Sequence, residues 1–381
     1  MDFSLTEEQK MLKTMLRDFA VKELEPVAAQ IDESSEFPAE QVRKIADLGL
    51  MGLTLPEEYG GNGKGMVEFC IAIEELTRAC SAAAAYFRIS LSLAISPIAM
   101  YGTHEQKQRF LVPHAKGEKL ACFALTEAGA GSDPAAMETT ATKKGGGYVI
   151  SGNKLFISVG AEAEIAVVFA TLDKSLRHRG VTAFIVEKGT PGFSVGKLEN
   201  KLGFHGVSAA ELIFEDCFVP EENRLGEENQ GFRIALEALD ESRVSVAAEA
   251  LGISQAALDA AVSYAKERQQ FGQRIANFQA VQWMLADMAT QIEAARLLTY
   301  RSAYLHDQRL PYIKESAMAK LFASEVSNFI TNKAIQIHGG YGYTKDYPLE
   351  RYLRDARLTE IYEGTSEMMR MTIARALVGK G

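Results

Sequence analysis

The stretch Gly145-Gly146-Gly147-Tyr148-Val149-Ile150 decides the fold class, because helical patterning ends before it and strand patterning begins. Three glycines suit a tight turn, and the β-branched and aromatic residues that follow favour a strand. Similar short runs return at 165–169, 182–186 and 212–214, separated by turn residues. Strands at this spacing predict a compact antiparallel β domain, a sandwich or a barrel, over residues 118–228.

Helical patterns flank this β segment on both sides. Apolar residues at three- and four-residue spacing run from Met11 to Phe19, and a further helix is expected over 67–77. After the β segment, three long helices that pack as a bundle are expected over 232–266, 278–308 and 311–338. The sequence therefore predicts an α+β chain, mainly α, with domains over 1–117, 118–228 and 229–381.

Composition excludes several classes of protein. The chain has 381 residues, 47% hydrophobic and 24% charged, which is ordinary for a globular protein with a large core. A net charge of -9 and a pI near 5.4 argue against a nucleic-acid binder. The sequence contains no run of about 18 uncharged apolar residues, so no membrane span is expected. The acidic N-terminus, with Thr6 as an expected helix cap, resembles neither a signal nor a transit peptide.

The cysteines indicate a reducing compartment. Cys70, Cys80, Cys122 and Cys217 are scattered and form no metal-ligand spacing with the histidines. We therefore expect reduced, mostly buried thiols in a cytoplasmic protein.

The stretch Ile361-Tyr362-Glu363-Gly364-Thr365-Ser366 is the strongest candidate for a site. A carboxylate beside a glycine can approach a small substrate closely and act as a base, and glycine lets a backbone N–H come near a ligand oxygen. The alternative is a helix start, with Thr365 or Ser366 as the N-cap and Glu367 in the first turn of a helix over 368–377.

A second segment, Phe123-Ala124-Leu125-Thr126-Glu127-Ala128-Gly129-Ala130-Gly131-Ser132-Asp133, opens the β domain. Its glycines and hydroxyls suit a loop whose N–H groups bind an anion or the polar edge of a ring. It is not a dinucleotide fingerprint, because Pro134 stands where the last glycine is required. A tight turn capped by Asp133 is the alternative.

A third segment, Arg268-Gln269-Gln270-Phe271-Gly272, lies between two expected helices and is followed by Phe278-Gln279. Arginine can pair with a phosphate in fork geometry while a neighbouring aromatic ring covers a flat ligand. A solvated helix end with Gly272 as the breaker is the alternative.

A fourth segment, Gln336-Ile337-His338-Gly339-Gly340-Tyr341-Gly342-Tyr343, is another loop with exposed backbone. His-Gly-Gly also occurs in the oxyanion loops of some esterases, which makes a serine hydrolase the competing enzyme class. That class needs a G-x-S-x-G elbow, and the nearest candidate, Phe156-Ile157-Ser158-Val159-Gly160, lacks the first glycine.

Together, in this order on a helix–β–helix chain, these four segments resemble the acyl-CoA dehydrogenase family over essentially all residues. Further matches are Leu55-Pro56-Glu57-Glu58-Tyr59-Gly60-Gly61, Glu215-Asp216-Cys217-Phe218-Val219-Pro220 and Tyr347-Pro348 with Arg354-Asp355-Ala356. The resemblance implies an N-terminal helical domain, a middle β-barrel or sandwich domain and a C-terminal four-helix bundle, assembled as a homotetramer. It also implies FAD as cofactor, oxidation of an acyl-CoA substrate to the 2-enoyl-CoA, and electron-transferring flavoprotein as acceptor.

Carried over residue by residue, the resemblance implies roles for these segments. Glu363 matches the catalytic base, and Gly364 lies against the thioester. The implied FAD contacts, some from a neighbouring subunit, are Phe123, Leu125, Thr126, Ser132, Phe156, Ile157, Ser158, Arg268, Gln270, Phe271, Phe278, Gln279, Gln336, Ile337, His338, Gly339, Gly340, Thr365 and Glu367. The implied substrate contacts are Ser132 and, for the CoA portion, Asp240, Glu241, Ser242 and Arg243.

Two positions bear on the kind of member. One subgroup carries its base near Ser242, where this chain has only a hydroxyl, so Glu363 is expected to be the working carboxylate. Arg88 lies in the stretch that lines the far end of the acyl pocket in this family, and we expect it to pair with an acid such as Glu74 or Glu75, or to reach solvent. We therefore expect a short, branched or cyclic monocarboxylic acyl-CoA. The alternatives are a glutaryl-CoA or alicyclic acyl-CoA dehydrogenase and an inactive flavin-binding scaffold.

Overall fold

The computed structural model describes residues 4–379, and within them most of the chain is helical. The helices are α1 Glu7–Phe19, α2 Ala28–Ser34, α3 Ala39–Asp47, α4 Met66–Ala79, α5 Ser81–Ile89, α6 Ser96–Tyr101, α7 His104–Ala115, α8 Gly231–Glu267, α9 Gln279–Asp307, α10 Ile313–His338, α11 Leu349–Thr359 and α12 Ser366–Val378. The strands are β1 Ala121–Ala124, β2 Thr140–Lys144, β3 Gly147–Ser158, β4 Ile165–Thr171, β5 Val181–Glu187, β6 Phe193–Leu198, β7 Ala209–Pro220, β8 Arg224–Leu225, β9 Gln269–Gln270 and β10 Gln273–Arg274. The predicted order of helices, strands and helices is confirmed.

Helix α1 begins at the predicted place because Thr6 forms a capping box. Its Oγ1 accepts a hydrogen bond from the N–H of Gln9 at 3.2 Å, and Gln9 Oε1 accepts one from the N–H of Thr6 at 3.0 Å. Glu7 and Glu8 in the first turn suit the positive end of the helix. The rest of the acidic N-terminus, residues 1–3, lies outside the described residues.

Helix α8 is the central element of the C-terminal half and packs against α4, α9, α10 and α11. Small side chains, including Ala247, Ala250 and Ala257, make up much of its buried surface. They allow close approach: a Cβ on Gly252 would lie 2.7 Å from the carbonyl oxygen of Glu74 in α4. The three long helices α8, α9 and α10 end close to the predicted positions.

One eight-stranded sheet forms the middle of the chain, in the order β6-β7-β3-β2-β4-β5-β8, with β1 beside β4. All the predicted strand segments lie in it. Most neighbouring strands are antiparallel, as predicted, but β1 and β2 both run parallel to β4. Parallel neighbours need a long connection, and here the intervening strands supply it. A separate ribbon of β9 and β10 lies between α8 and α9.

The helical stretch Ser81–Tyr101, which contains α5 and α6, carries Arg88. It is the one helix within residues 4–379 that is long and apolar enough to cross a membrane, and 89% of its most apolar window is buried inside the protein. It is therefore a core element. Between α5 and α6, residues Ser90–Ile95 form a wide π-type turn, a feature that is frequent at functional sites.

The four cysteines are buried and free, as predicted. Burial raises the pKa of the Cys122 thiol to about 12, so this side chain is a poor nucleophile at neutral pH. Across the described part of the chain, no group of three or more His, Cys, Asp or Glu side chains could hold a metal ion.

Candidate active site

Glu363 and Gly364 form a strained turn between α11 and α12. Glu363 has a φ of 55° and Gly364 a φ of 105°, and a positive φ is unfavourable for any residue with a Cβ. Thr365 caps α12 by accepting a hydrogen bond from the N–H of Met368 at 3.4 Å. The helix-start interpretation is therefore confirmed, but it does not replace the functional one. A strained non-glycine residue beside a helix cap is typical of a functional site.

Two buried cations hold the backbone of this turn. Arg243 Nε of α8 donates to the carbonyl oxygen of Glu363 at 3.3 Å. Lys320 Nζ of α10 donates to the carbonyl oxygen of Gly364 at 2.7 Å. Because burial disfavours the charged amine, the pKa of Lys320 falls to about 8. The turn is thus fixed from two helices, which compensates for its strained backbone.

The carboxylate of Glu363 is buried, with 5% of the side chain exposed, and its two oxygens differ. Oε1 accepts a hydrogen bond from Arg88 Nη1 at 2.8 Å. Oε2 is buried and has no hydrogen-bond partner within residues 4–379. One oxygen is held in place while the other is free to accept a proton, which is the arrangement of a general base.

Arg88 does not have the predicted partners. Its side chain is fully buried and pairs with Glu249, from Nε to Oε1 at 3.1 Å, as well as with Glu363. Glu74 instead pairs with Arg296, and Glu75 lies beside Lys13 and Arg78. The expectation that Arg88 pairs with an acid is confirmed, but Glu74, Glu75 and solvent were wrong, because Arg88 on α5 faces α8 and the 361–364 turn rather than α4.

Glu249 is a member of the site that the sequence interpretation missed. Its Oε2 accepts a hydrogen bond from the Tyr362 hydroxyl, which itself accepts one from Arg88 Nη2 at 3.0 Å. Ser245 Oγ accepts a further bond from Arg88 Nη1 at 3.3 Å. A signal was present, since Ser242, Ser245 and Glu249 lie three and four residues apart on a largely apolar helix. We call Arg88, Ser245, Glu249, Tyr362 and Glu363 the buried ion cluster.

The segment 240–243 of α8 lies beside this cluster. Arg243 pairs with Asp240, and burial raises the pKa of Asp240 to about 6. Glu241 accepts a hydrogen bond from Ser96 Oγ at 2.5 Å. Ser242 is fully buried, with its Oγ 3.2 Å from that of Ser92. Of these candidate substrate contacts, Asp240, Ser242 and Arg243 are buried, Ser242 fully so.

The segments 123–132 and 156–158 lie side by side. The N–H of Leu155 donates to the carbonyl oxygen of Thr126 at 2.8 Å. Buried Lys154 donates to the carbonyl oxygen of Leu125 at 3.1 Å and to Glu127 Oε1 at 2.7 Å. Phe156 has a φ of 59° and a side chain that is 58% exposed. These contacts make a rigid, open-faced loop.

The buried ion cluster is connected to this loop through the π-type turn. Ser90 Oγ donates to the carbonyl oxygen of Ala121 in β1 at 3.0 Å, and Ser90 lies two residues beyond Arg88. In the same region Phe123, Leu125 and Ile157 are buried, while Ser132 is exposed. The candidate base and the first loop therefore belong to one neighbourhood.

The third and fourth segments form a second neighbourhood at one end of the bundle. The guanidinium of Arg268 lies 5.7 Å from the ring centre of Tyr341, and the rings of Tyr264 and His338 stack at 4.2 Å. Phe271 is 93% exposed. The candidates here that are exposed are Gln270, Gln279, Gln336, Gly339 and Gly340, whereas Phe278 is half-buried and Ile337 is buried.

Family models match the chain over most of its length. They describe the acyl-CoA dehydrogenase N-terminal domain at residues 6–118, the middle domain at 122–217 and the C-terminal domain at 229–378.

Two curated relatives and one solved structure span nearly the same length. An "Acryloyl-CoA reductase (NADH)" of Anaerotignum propionicum is 53% identical, over 99% of this chain and 96% of its own. An "Acyl-CoA dehydrogenase, short-chain specific" of Clostridium acetobutylicum is 49% identical, over 98% of this chain and 99% of its own. A chain in the structure "Electron transferring flavoprotein of Acidaminococcus fermentans: Towards a mechanism of flavin-based electron bifurcation" is 50% identical, with a TM-score of 0.98 and full coverage of both chains.

Proposed function

The chain belongs to the acyl-CoA dehydrogenase family, and on that premise we propose that Glu363 is its catalytic base and that short acyl-CoA thioesters are its substrates. The protein is an FAD-dependent oxidoreductase that converts an acyl-CoA to the 2-enoyl-CoA. The observation that carries the assignment of Glu363 is its buried Oε2, which lacks a partner in the described part of the chain. A buried carboxylate oxygen without a donor calls for a functional explanation.

The reaction begins with loss of a proton from the α-carbon of the thioester. An α C–H is a weak acid, so its removal needs a nearby base and stabilisation of the charge that develops on the carbonyl oxygen. In this proposal Oε2 of Glu363 takes the proton, and the peptide N–H of Glu363 donates to that carbonyl oxygen. When bound, FAD supplies the acceptor for the hydride that leaves the β-carbon. The burial of Glu363 keeps water from the proton-transfer step.

The residues present fit FAD. A Cβ added at Gly129 or Gly131 meets nothing within 4 Å, and the same holds for Gly339 and Gly340. Both loops thus leave space along an exposed backbone, as a close-fitting planar or phosphorylated ligand requires. In this proposal the loop with Thr126, Ser132 and Phe156 to Ser158 holds the flavin ring, together with Thr365 and Glu367 near Glu363.

The second neighbourhood, 268–279 with 336–340, suits the diphosphate and adenosine. Arg268 supplies a fork-shaped donor for a phosphate. Phe271 is 93% exposed and Trp283 on the adjoining α9 is 64% exposed, and aromatic residues are enriched at interfaces between subunits. Our proposal is that this end of the bundle contributes to the FAD site of a neighbouring copy within a homotetramer.

Four further assignments follow from the family. The segment Asp240, Glu241, Ser242 and Arg243 receives the CoA portion, with Arg243 the natural partner for an anion. The domains are 1–117, 118–228 and 229–381, and the compartment is the cytoplasm. Electrons leave to electron-transferring flavoprotein, which is supported by the 50% identity to a chain of the Acidaminococcus fermentans structure.

Arg88 argues for a monocarboxylic substrate. Its guanidinium already faces two carboxylates, those of Glu249 and Glu363. A third carboxylate, as glutaryl-CoA would bring, adds uncompensated negative charge in a buried place. A short acyl chain such as butyryl is also in keeping with the short-chain-specific relative.

A panel of thioesters tests this proposal. Purified holoprotein is mixed anaerobically with butyryl-, cyclohexanecarbonyl- or glutaryl-CoA, and loss of the oxidised flavin band is followed. We expect the fastest bleaching with butyryl-CoA, with crotonyl-CoA as the product. Faster reduction by glutaryl-CoA, lost in Arg88→Ala, would overturn the assignment of a monocarboxylic substrate. No bleaching by any thioester would overturn the dehydrogenase itself.

A second candidate is the reverse reaction, reduction of a short enoyl-CoA. The observation that favours it is the 53% identity to a protein named acryloyl-CoA reductase (NADH). The same bond and the same base serve both directions, with Glu363 then returning a proton to the α-carbon. Oxidation of NADH that depends on acryloyl-CoA, measured with electron-transferring flavoprotein present, separates a reductase from a dehydrogenase.

A further inference from the structure

The buried ion cluster contains one cation and two acids. Arg88 and Glu249 are both fully buried, and Glu363 nearly so. Arg88 lies between the two acids, with Nε bonded to Glu249 and Nη1 to Glu363. Removing charges from water is costly unless each is paired and hydrogen-bonded. Arg88 meets that requirement for Oε1 of each acid, and it thereby couples the base to a second carboxylate that the proton transfer itself does not use.

We propose that Glu249 and Arg88 form a positioning pair for Glu363: Arg88 fixes Oε1 of the base, and Glu249 offsets the charge of Arg88 so that Oε2 keeps its affinity for the substrate proton. This inference rests on the proposed role of Glu363. Both Glu249 oxygens are occupied, Oε1 by Arg88 and Oε2 by the Tyr362 hydroxyl. Glu249 therefore orients the guanidinium and the aromatic ring that adjoin the base.

The need for such an offset follows from electrostatics. An arginine in contact with a carboxylate favours its ionised form and so weakens it as a base. A second carboxylate on the same guanidinium acts in the opposite direction, and the interaction is strong because all three groups are shielded from water. The arrangement holds the base in place and balances the charge of the guanidinium beside it.

Other charged groups also face Glu363. Arg243 contacts its carbonyl oxygen, and Lys320 contacts that of Gly364. Both are directed at the backbone, whereas Arg88 is the cation bonded to the carboxylate. Substitutions at Arg88 and Glu249 therefore change the charge at the carboxylate while leaving these backbone contacts in place.

The titration of Glu249 supports the same conclusion. Burial raises the pKa of Glu249 to about 7, although Arg88 opposes the shift. The acid limb of the pH–rate profile is thus expected to respond to the charge on Glu249.

Opposite changes of charge should move that acid limb in opposite directions. Holoenzyme variants are compared by the rate of flavin reduction in single turnovers with butyryl-CoA between pH 5 and 9. Glu249→Gln should move the acid limb down by about one pH unit and slow the plateau rate roughly tenfold, because Arg88 then acts on Glu363 alone. Arg88→Gln should move the limb up by about one unit. The acid limb of the double variant should return close to that of wild type, and Arg88→Lys, which keeps the positive charge, should also leave the limb near its wild-type position.

Glu74 provides a matched control. It is also buried and also accepts from an arginine and a tyrosine, Arg296 at 2.7 Å and Tyr300 at 3.0 Å. Glu74→Gln should lower the thermal midpoint as Glu249→Gln does, but leave the pH profile unchanged. Flavin content and thermal midpoint are measured for every variant, so that loss of fold is separated from loss of base strength.

Three outcomes would overturn the inference. The first is a shift of the acid limb in the same direction in Glu249→Gln and Arg88→Gln. The second is an acid limb that moves in neither variant. The third is a double variant whose acid limb lies no closer to that of wild type than the limb of either single variant. If a single variant yields no folded holoenzyme, the double variant and Arg88→Lys still decide. Glu363→Gln separates failure of the proposed base from failure of the positioning pair. Full activity in Glu363→Gln would remove the proposed base. An inactive Glu363→Gln, together with an unmoved acid limb in the Glu249 and Arg88 variants, would remove only the positioning pair.

Discussion

Gly364→Ala tests whether the strained turn positions the base. The φ of 105° at Gly364 is one that residues with a Cβ rarely adopt, which costs roughly 1–3 kcal/mol. The new Cβ would also lie 2.7 Å from Cε of Met369, the mobile end of a flexible side chain. The Met369 side chain can move away, but the strain at φ is relieved only if the backbone shifts. Such a shift would move the neighbouring Glu363, and a displacement near 1 Å can lower turnover about 100-fold.

Gly189→Ala is the matched control, because Gly189 has a φ of +90° and nothing within 4 Å of an added Cβ. Thermal midpoints and single-turnover flavin reduction are measured for both variants. We expect both to lose about 1–4 °C, at about 1 °C per kcal/mol for a chain of this length, and only Gly364→Ala to lose turnover at least tenfold. Wild-type turnover in Gly364→Ala at full flavin content would refute the argument that this turn positions the base.

The other predictions concern the cofactor, pH and assembly. Arg268→Ala should weaken FAD binding to the apoprotein roughly 10- to 100-fold, because it removes a charge-assisted hydrogen bond from the guanidinium to a phosphate. An unchanged FAD affinity would mean that Arg268 does not contact the cofactor. Burial lowers the pKa of His114 to about 4, so as the pH falls from 6.5 to 4 the unfolded chain binds a proton that the folded chain excludes, and about 3 kcal/mol of stability is lost. Between pH 6.5 and 4, His114→Gln should lose about 3 kcal/mol less stability than wild type. An equal loss in the two proteins would contradict the lowered pKa of His114. Trp283→Glu should give a smaller particle by light scattering if α9 lies in a subunit interface, and an unchanged mass would count against that interface.

Local patterns were enough to predict the long helices and four of the strands. Apolar spacing placed the long helices, and the capping box at Thr6 follows from a hydroxyl three residues before Gln9. The alternation of short strands and turns predicted the sheet, but not the parallel pairing of β1 and β2 with β4. That pairing is set by how the chain returns to the sheet, which no local pattern records.

The partners of Arg88 could not be predicted because they are distant along the chain. Glu249 lies 161 positions and Glu363 275 positions from Arg88. Sequence spacing indicates which residues share a helix face, but not which two helices meet. Glu363 itself was found because its six-residue context matches a family motif. Glu249 has no such motif, although its spacing from Ser242 and Ser245 marked a polar stripe on α8.

Glu363→Gln is the most direct test of the central claim, because the amide is nearly isosteric but cannot accept the α-proton. The measurement is the single-turnover rate of flavin reduction by butyryl-CoA, with flavin content and thermal midpoint as controls. We predict a variant that folds and retains FAD but reacts at least about 100-fold more slowly than wild type. A folded, flavin-loaded Glu363→Gln protein with a rate close to wild type would show that another group removes the proton.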